Sequence, residues 1–206
     1  MIDDAWTRRQ IAKSISGSLD TLVKDRMTGL VEEPDITSRI GQRLEDSFDG
    51  RDLHGFRVRV ISETMPSHGP GSLEKPTGTD LYIALSITDR FGHQTSKGIL
   101  VQAKREDRLH WSDLQEQCRR MRHISAKGSV VWLYRWNGIG VMRASDVERR
   151  STPVVDADAF FESVLGCKIG DKRRVPQAPF GDRAALKAML MKLSAQNAVW
   201  LDLAEK

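Results

Sequence analysis

The chain has 206 residues, is 39% apolar and 29% charged, and sets 32 Lys and Arg against 28 Asp and Glu for a net charge of +4; this is the make-up of one globular domain and not of a disordered chain. Two cysteines exclude a disulfide scaffold and a Cys-rich zinc site. No apolar run is long enough to span a membrane, and the first residues, MIDDAWTRRQ, lack the apolar stretch of a secretory signal, so a cytoplasmic location is expected.

Residues 5–31 predict a helix, with Ile11, Ile15, Leu19, Leu22 and Val23 on one face and Gly29 as its stop. A second helix is expected from Glu32–Asp35, with Pro34 in its first turn and Ile36, Ile40, Leu44 and Phe48 as its apolar stripe. Residues 56–61 alternate like a half-buried strand, and 67–72 (SHGPGS) have the composition of a loop. Two further strands follow at 80–87 and 98–104, joined by the turn-like 89–97, and the second has the continuous apolar stretch of a buried sheet position. An Arg-rich amphipathic helix at 112–124 carries Leu114, Cys118, Met121 and Ile124 on its apolar side. Strands are expected at 129–134 and 140–142, helices near 156–166 and 182–196, and a short last strand at 199–203. The order describes an α/β layer with a mixed sheet in a single domain: an N-terminal helix (1–31), a core (32–145) and a C-terminal helical extension (151–206).

The chemistry concentrates on the strand pair 80–87 and 98–104. Side chains alternate along a strand, so Gln102 and Lys104 share a face at one strand end. If the two strands pair as a hairpin, Asp80 at the start of one lies beside 102–104 at the end of the other. An Asp carboxylate and an amide oxygen suit a hard divalent cation. A neighbouring Lys suits the orientation of an attacking water and the charge that develops on a phosphoryl group.

Gly78-Thr79-Asp80 and Gln102-Ala103-Lys104 resemble the motif of the PD-(D/E)XK nuclease superfamily in the variant where Gln replaces the middle acid. The resemblance spans roughly 32–145. It implies a restriction-endonuclease-like mixed sheet flanked by helices and a Mg²⁺-dependent nuclease, with Mn²⁺ able to substitute. Asp80, Gln102 and Glu33 would hold the metal and Lys104 would activate water, with Glu32, Asp35 and Glu45 as rivals to Glu33. Thr79 stands where the family has Pro, and the uncharged Gln102 leaves one carboxylate fewer, which implies weaker metal affinity. Residues 114–121 and 130–134 resemble the helix and strand after the catalytic lysine in nuclease domains of prokaryotic restriction and anti-phage systems. Gln117 would then face the site.

Acids gather at 32–52 and bases at 104–122 and 168–174. Arg105, Gln117, Arg119 and Arg120 are the candidates for contact with DNA; RNA suits the same chemistry. Cutting both strands calls for two sites, which a homodimer joined through the 5–31 stripe or the C-terminal helices would supply; a protein partner from a defence system is the other expectation. The plainer readings are a turn residue for Asp80, a solvated strand-end lysine for Lys104, a dipole-favoured first-turn acid for Glu33 and a wet helix face for the arginines. A catalytically inactive nuclease-like module that only binds is the corresponding alternative. Cys118 reads as core, and Trp132 and Trp136 as core and strand-end packing.

Overall fold

Apolar runs with no polar alternation need cover on both faces, and in the computed structural model they have it. The structure describes residues 1–27, 31–65, 77–149 and 153–206; the helix stop at Gly29 and the loop at 67–72 lie outside them. The elements are α1 (Ala5–Met27), α2 (Glu33–Phe48), β1 (Arg51–Leu53), β2 (Phe56–Thr64), β3 (Leu81–Thr88), β4 (Gln94–Arg105), α3 (Trp111–Ile124), β5 (Ser129–Arg135), β6 (Gly138–Arg143), α4 (Ala144–Glu148), β7 (Val155–Asp156), α5 (Ala157–Leu165), α6 (Arg183–Leu193) and β8 (Asn197–Glu205). The strands form one mixed sheet of eight in the order β1-β2-β8-β3-β4-β5-β6-β7. Among the described residues no helix is long and apolar enough to cross a membrane.

The two-residue period of the strands sorts the core into layers. Ile83, Leu85, Val101, Ala103, Trp132 and Val199 face α1, α2 and α5. Tyr82, Ala84, Leu100 and Trp200 face α6 and Met121 of α3, while Val131 and Leu133 face α3 and α4. Cys118 lies in that last layer, where burial pushes its thiol up to about 12, so it is core, as its helical position indicates.

Three expectations are corrected. The boundary of the core at 145 fails, because the C-terminal segment contributes β8, a nine-residue strand in the middle of the sheet. It runs parallel to β3 and antiparallel to β2, which keeps those two strands from pairing with each other. The extension is therefore not merely helical. The 5–31 stripe does not serve a dimer either: Ile11, Ile15, Leu19, Leu22 and Val23 are buried against this chain's own α2 and α5. Leu186, Leu190 and Leu193 of α6 are likewise buried in this chain's own core, while Met191 of the same helix is exposed.

One buried cation is held on the α5 side. Lys97 of β4 is 2% exposed, and its ammonium donates to the Val164 carbonyl and to Cys167 Sγ (3.1 Å). Burial holds its pKa below the ordinary lysine value of 10.5. A depressed lysine pKa means that the folded state resists protonation. Lys97 therefore costs stability at neutral pH, and the cost is relieved as pH rises from the folded pKa toward 10.5. The Val164 carbonyl keeps other donors, the Gly166 and Cys167 amides. We expect Lys97→Met to raise the thermal midpoint at neutral pH and to flatten the alkaline rise in stability, as measured by melting curves across pH.

Candidate active site

The site lies at the end of the sheet where β3 begins and β4 ends. The antiparallel register sets Leu81 opposite Val101, which carries Asp80 to the level of Gln102. The backbone of Asp80 is held from both neighbouring strands: its N–H donates to the Val101 carbonyl (2.9 Å), and its carbonyl accepts from Asn197 N (3.2 Å) and Asn197 Nδ2 (3.1 Å) of β8. The carboxylate is 6% exposed. Its Oδ2 accepts the Ala103 N–H at 2.9 Å and the Gln102 side-chain amide. The amide nitrogen must face the carboxylate, since two acceptors would repel. That leaves Gln102 Oε1 buried and, among the described residues, without a donor.

The approach to Asp80 is a tight turn. Thr77 Oγ1 donates to the Leu193 carbonyl (2.7 Å) at the end of α6 and receives the Thr79 N–H (3.3 Å). Gly78 has φ +74°, and a Cβ there would stand 2.9 Å from the Gln117 Cβ on α3. Only glycine satisfies both the left-handed conformation and the contact. Gln117 is thus packed against the turn that carries Asp80. Its Oε1 is buried and, among the described residues, unpartnered, as is Thr79 Oγ1. Three orphaned oxygens consequently sit on residues around one carboxylate.

Glu33 arrives from the opposite face. It occupies the first turn of α2, where Pro34 fills a position that needs no N–H partner. Its Oε1 accepts from Lys104 Nζ (3.1 Å) and its Oε2 from the Arg105 N–H (3.0 Å). The rivals point elsewhere: Glu32 pairs with Arg108 (2.9 Å), Glu45 with Ser62 N–H (2.6 Å) and Arg183 (3.4 Å), and Asp35 is exposed. Lys104 and Glu33 remain about one-fifth exposed, so the pair opens to solvent while Asp80 does not.

Two residues unmarked by any motif fix this arrangement. Thr37, one helical turn after Glu33, donates to the Glu33 carbonyl (2.9 Å) and shares a buried hydrogen bond with the Tyr134 hydroxyl (2.8 Å). Tyr134 is level with Arg105 on β5. Burial, with the nearby charges of Asp80 and Glu33, raises its phenol pKa far beyond the usual range, so it stays neutral. The only sequence signal was a polar tip at the end of an apolar strand run.

The expected phosphate contacts are not all available. Arg105 is turned inward, its side chain 5% exposed. It clasps Asp107 through two nitrogens (3.0 and 2.8 Å) and donates to the Val31 carbonyl (2.8 Å), tying the end of β4 to the segment just before α2. Arg119 and Arg120 are exposed, but both grip Glu116 (2.8–2.9 Å), whose carboxyl they hold below its usual range. In the 168–174 cluster, Arg173 binds Asp171, lowering that carboxyl to about 2, and Arg174 binds the Ile124 carbonyl.

The donor set is all oxygen: the Asp80 and Glu33 carboxylates and the unpartnered Gln102 Oε1. These are the ligands a hard divalent cation accepts. The number of charges is low, and among the described residues no three His, Cys, Asp or Glu side chains cluster as metal ligands.

Removing the Thr37 hydroxyl strands a buried phenol. We expect Thr37→Val to cost about 1–3 kcal/mol of stability by chemical denaturation, and Tyr134→Phe in the same chain to recover part of the loss. Additive losses would break the pair apart. No protein-family model, curated protein or solved structure matches this chain, so the site rests on its own geometry.

Proposed function

We propose that the protein is a metal-dependent nuclease of restriction-endonuclease-like fold that hydrolyses phosphodiester bonds, foremost a DNA endonuclease. The observation that carries the reading is the buried Asp80 carboxylate, fixed by the Ala103 N–H and the Gln102 amide with Lys104 one step further along the same strand. The resemblance of GTD and QAK to the PD-(D/E)XK motif and the Glu33 carboxylate from the preceding helix support it. A role in prokaryotic defence rests on the resemblance alone.

The residues divide the work. Lys104, steadied by Glu33, places an ammonium at the mouth of the site. There it binds a non-bridging phosphoryl oxygen and orients the attacking water. Asp80 holds its charge in a fixed direction because two donors and two neighbouring strands constrain it. A bound Mg²⁺, or Mn²⁺ in its place, held by Asp80, Gln102 and Glu33, would neutralise the phosphodiester and lower the pKa of water. With only two carboxylates, occupancy depends strongly on the metal concentration and on the substrate's own phosphate.

Asp80→Asn and Lys104→Ala should each lower Mg²⁺-dependent plasmid cleavage by at least about 10²-fold while melting near the wild-type temperature. Full activity in either variant removes the assignment.

The Lys104–Glu33 ion pair and the low carboxylate count favour one second reading, a module of the same fold that binds nucleic acid or a partner protein without cutting it. Binding to nucleic acid would then persist in EDTA, weaken steeply with salt and ignore Lys104→Ala. Matched DNA and RNA substrates separate a deoxyribonuclease from a nuclease of structured RNA.

A further inference from the structure

Indole is among the side chains a fold gains most by burying. This chain buries Trp132 (0% exposed) and Trp200 (3%), yet leaves Trp111 at 45% and Trp136 at 62%. Both exposed rings stand at the end of the sheet that holds Asp80. Trp111 opens α3, six residues before the Gln117 that packs on Gly78. Trp136 occupies the β5–β6 turn, two residues beyond Tyr134 and next to Arg135, which pairs with Glu106 (3.0 Å) directly after β4. The exposed rings of the opposite end differ. Trp6 stacks edge-on against His54 (5.6 Å), and Phe91 meets His93 and Arg90. Among the described residues Trp111 and Trp136 have neither a ring nor a cation partner.

Charge at this end argues in the same direction. Lys104, Arg105, Arg108 and Arg135 each meet a carboxylate. A surface that grips duplex DNA does so through cations that neutralise phosphates; here these four cations already have carboxylate partners with which a phosphate must compete. Exposed indoles offer a different source of affinity, stacking on bases, which is tolerant of sequence. Base faces inside a duplex are covered by their neighbours, so only an unpaired base can stack.

We propose that Trp111 and Trp136 are stacking platforms that deliver single-stranded nucleic acid to the Asp80–Lys104 site. The inference rests on the nuclease reading for that site and on the unpartnered indoles for the form of the substrate. The test is fluorescence anisotropy in EDTA, where no cleavage occurs, with an oligothymidylate of about 12 nucleotides and a hairpin duplex of matched length. The wild-type chain should bind the oligothymidylate more tightly than the hairpin. Trp111→Ala and Trp136→Ala should each weaken oligothymidylate binding about tenfold or more, and the Phe variants should keep most of it. Trp6→Ala, at the other end, should change nothing. Wild-type preference for the duplex, or Ala variants that bind the oligothymidylate as the wild type does, overturns the inference. If such variants also cleave plasmid normally in Mg²⁺, the nuclease reading stands without it. Conversely, tryptophan-dependent binding by a chain that cleaves nothing upholds the platforms and removes the nuclease reading.

Discussion

The register between β3 and β4 is the constraint on which the site depends. Leu81 faces Val101, so Asp80 reaches the Ala103 N–H and the Gln102 amide. A slip of one residue would turn every side chain of β3 to the other face of the sheet. Both faces are buried here, so the packing of Ile83 and Leu85 on one side and Tyr82 and Ala84 on the other specifies the register. β8 locks it a second time, through Asn197 on the Asp80 carbonyl. The last ten residues of the chain are thereby part of the geometry of a carboxylate more than a hundred residues earlier.

Around that fixed carboxylate the charges are arranged in pairs. Glu33 takes Lys104, Glu32 takes Arg108, Asp107 takes Arg105 and Glu106 takes Arg135. The exposed members of this set contribute little to stability individually. Each pair is neutral as a unit, so this set contributes nothing to the net charge of +4. Arg105 is the exception in kind, because its buried guanidinium also satisfies the Val31 carbonyl and so joins β4 to the start of α2. The acid from α2 and the lysine from β4 then meet because their backbones are already tied.

Much of this was legible in the sequence, and the failures have physical causes. Apolar runs at 81–87, 98–103 and 129–134 gave strands because a sheet covered on both faces leaves few polar positions in them, here Ser86, Gln102 and Ser129. Asp80, Gln102 and Lys104 came together because strand alternation and a short turn are local facts. The same alternation sends Arg105 to the opposite face from Lys104, so its burial could have been read from its odd position. The Glu116 clasp was likewise readable, since Arg119 and Arg120 stand three and four residues further along one helix. The place of β8 was not readable. Nothing local in 197–205 says that it enters between β2 and β3, because that choice is made by partners far away in sequence. Thr37 and Tyr134 were missed for the same reason: the hydrogen bond joins residues 97 positions apart.

Buried oxygens without a hydrogen-bond partner gather at this sheet end, although Trp132 Nε1 and Glu148 Oε1 elsewhere also lack one among the described residues. A buried acceptor without a donor costs about 1–3 kcal/mol, and Thr79, Gln102 and Gln117 each hold one. Apolar residues of similar size would remove that cost, and the layers on both faces show that the chain has such residues at hand. Lys97 is the instructive contrast. It is a buried charge on the α5 face, yet its ammonium finds a carbonyl and a thiol. Among the described residues Gln102 Oε1, Gln117 Oε1 and the Thr79 hydroxyl have no partner, and all of them are oxygens. A group of unmet oxygens around a fixed carboxylate is complementary to something that brings positive charge or hydrogen-bond donors. That complementarity, together with the motif spacing, is what supports reading this end of the sheet as the candidate site.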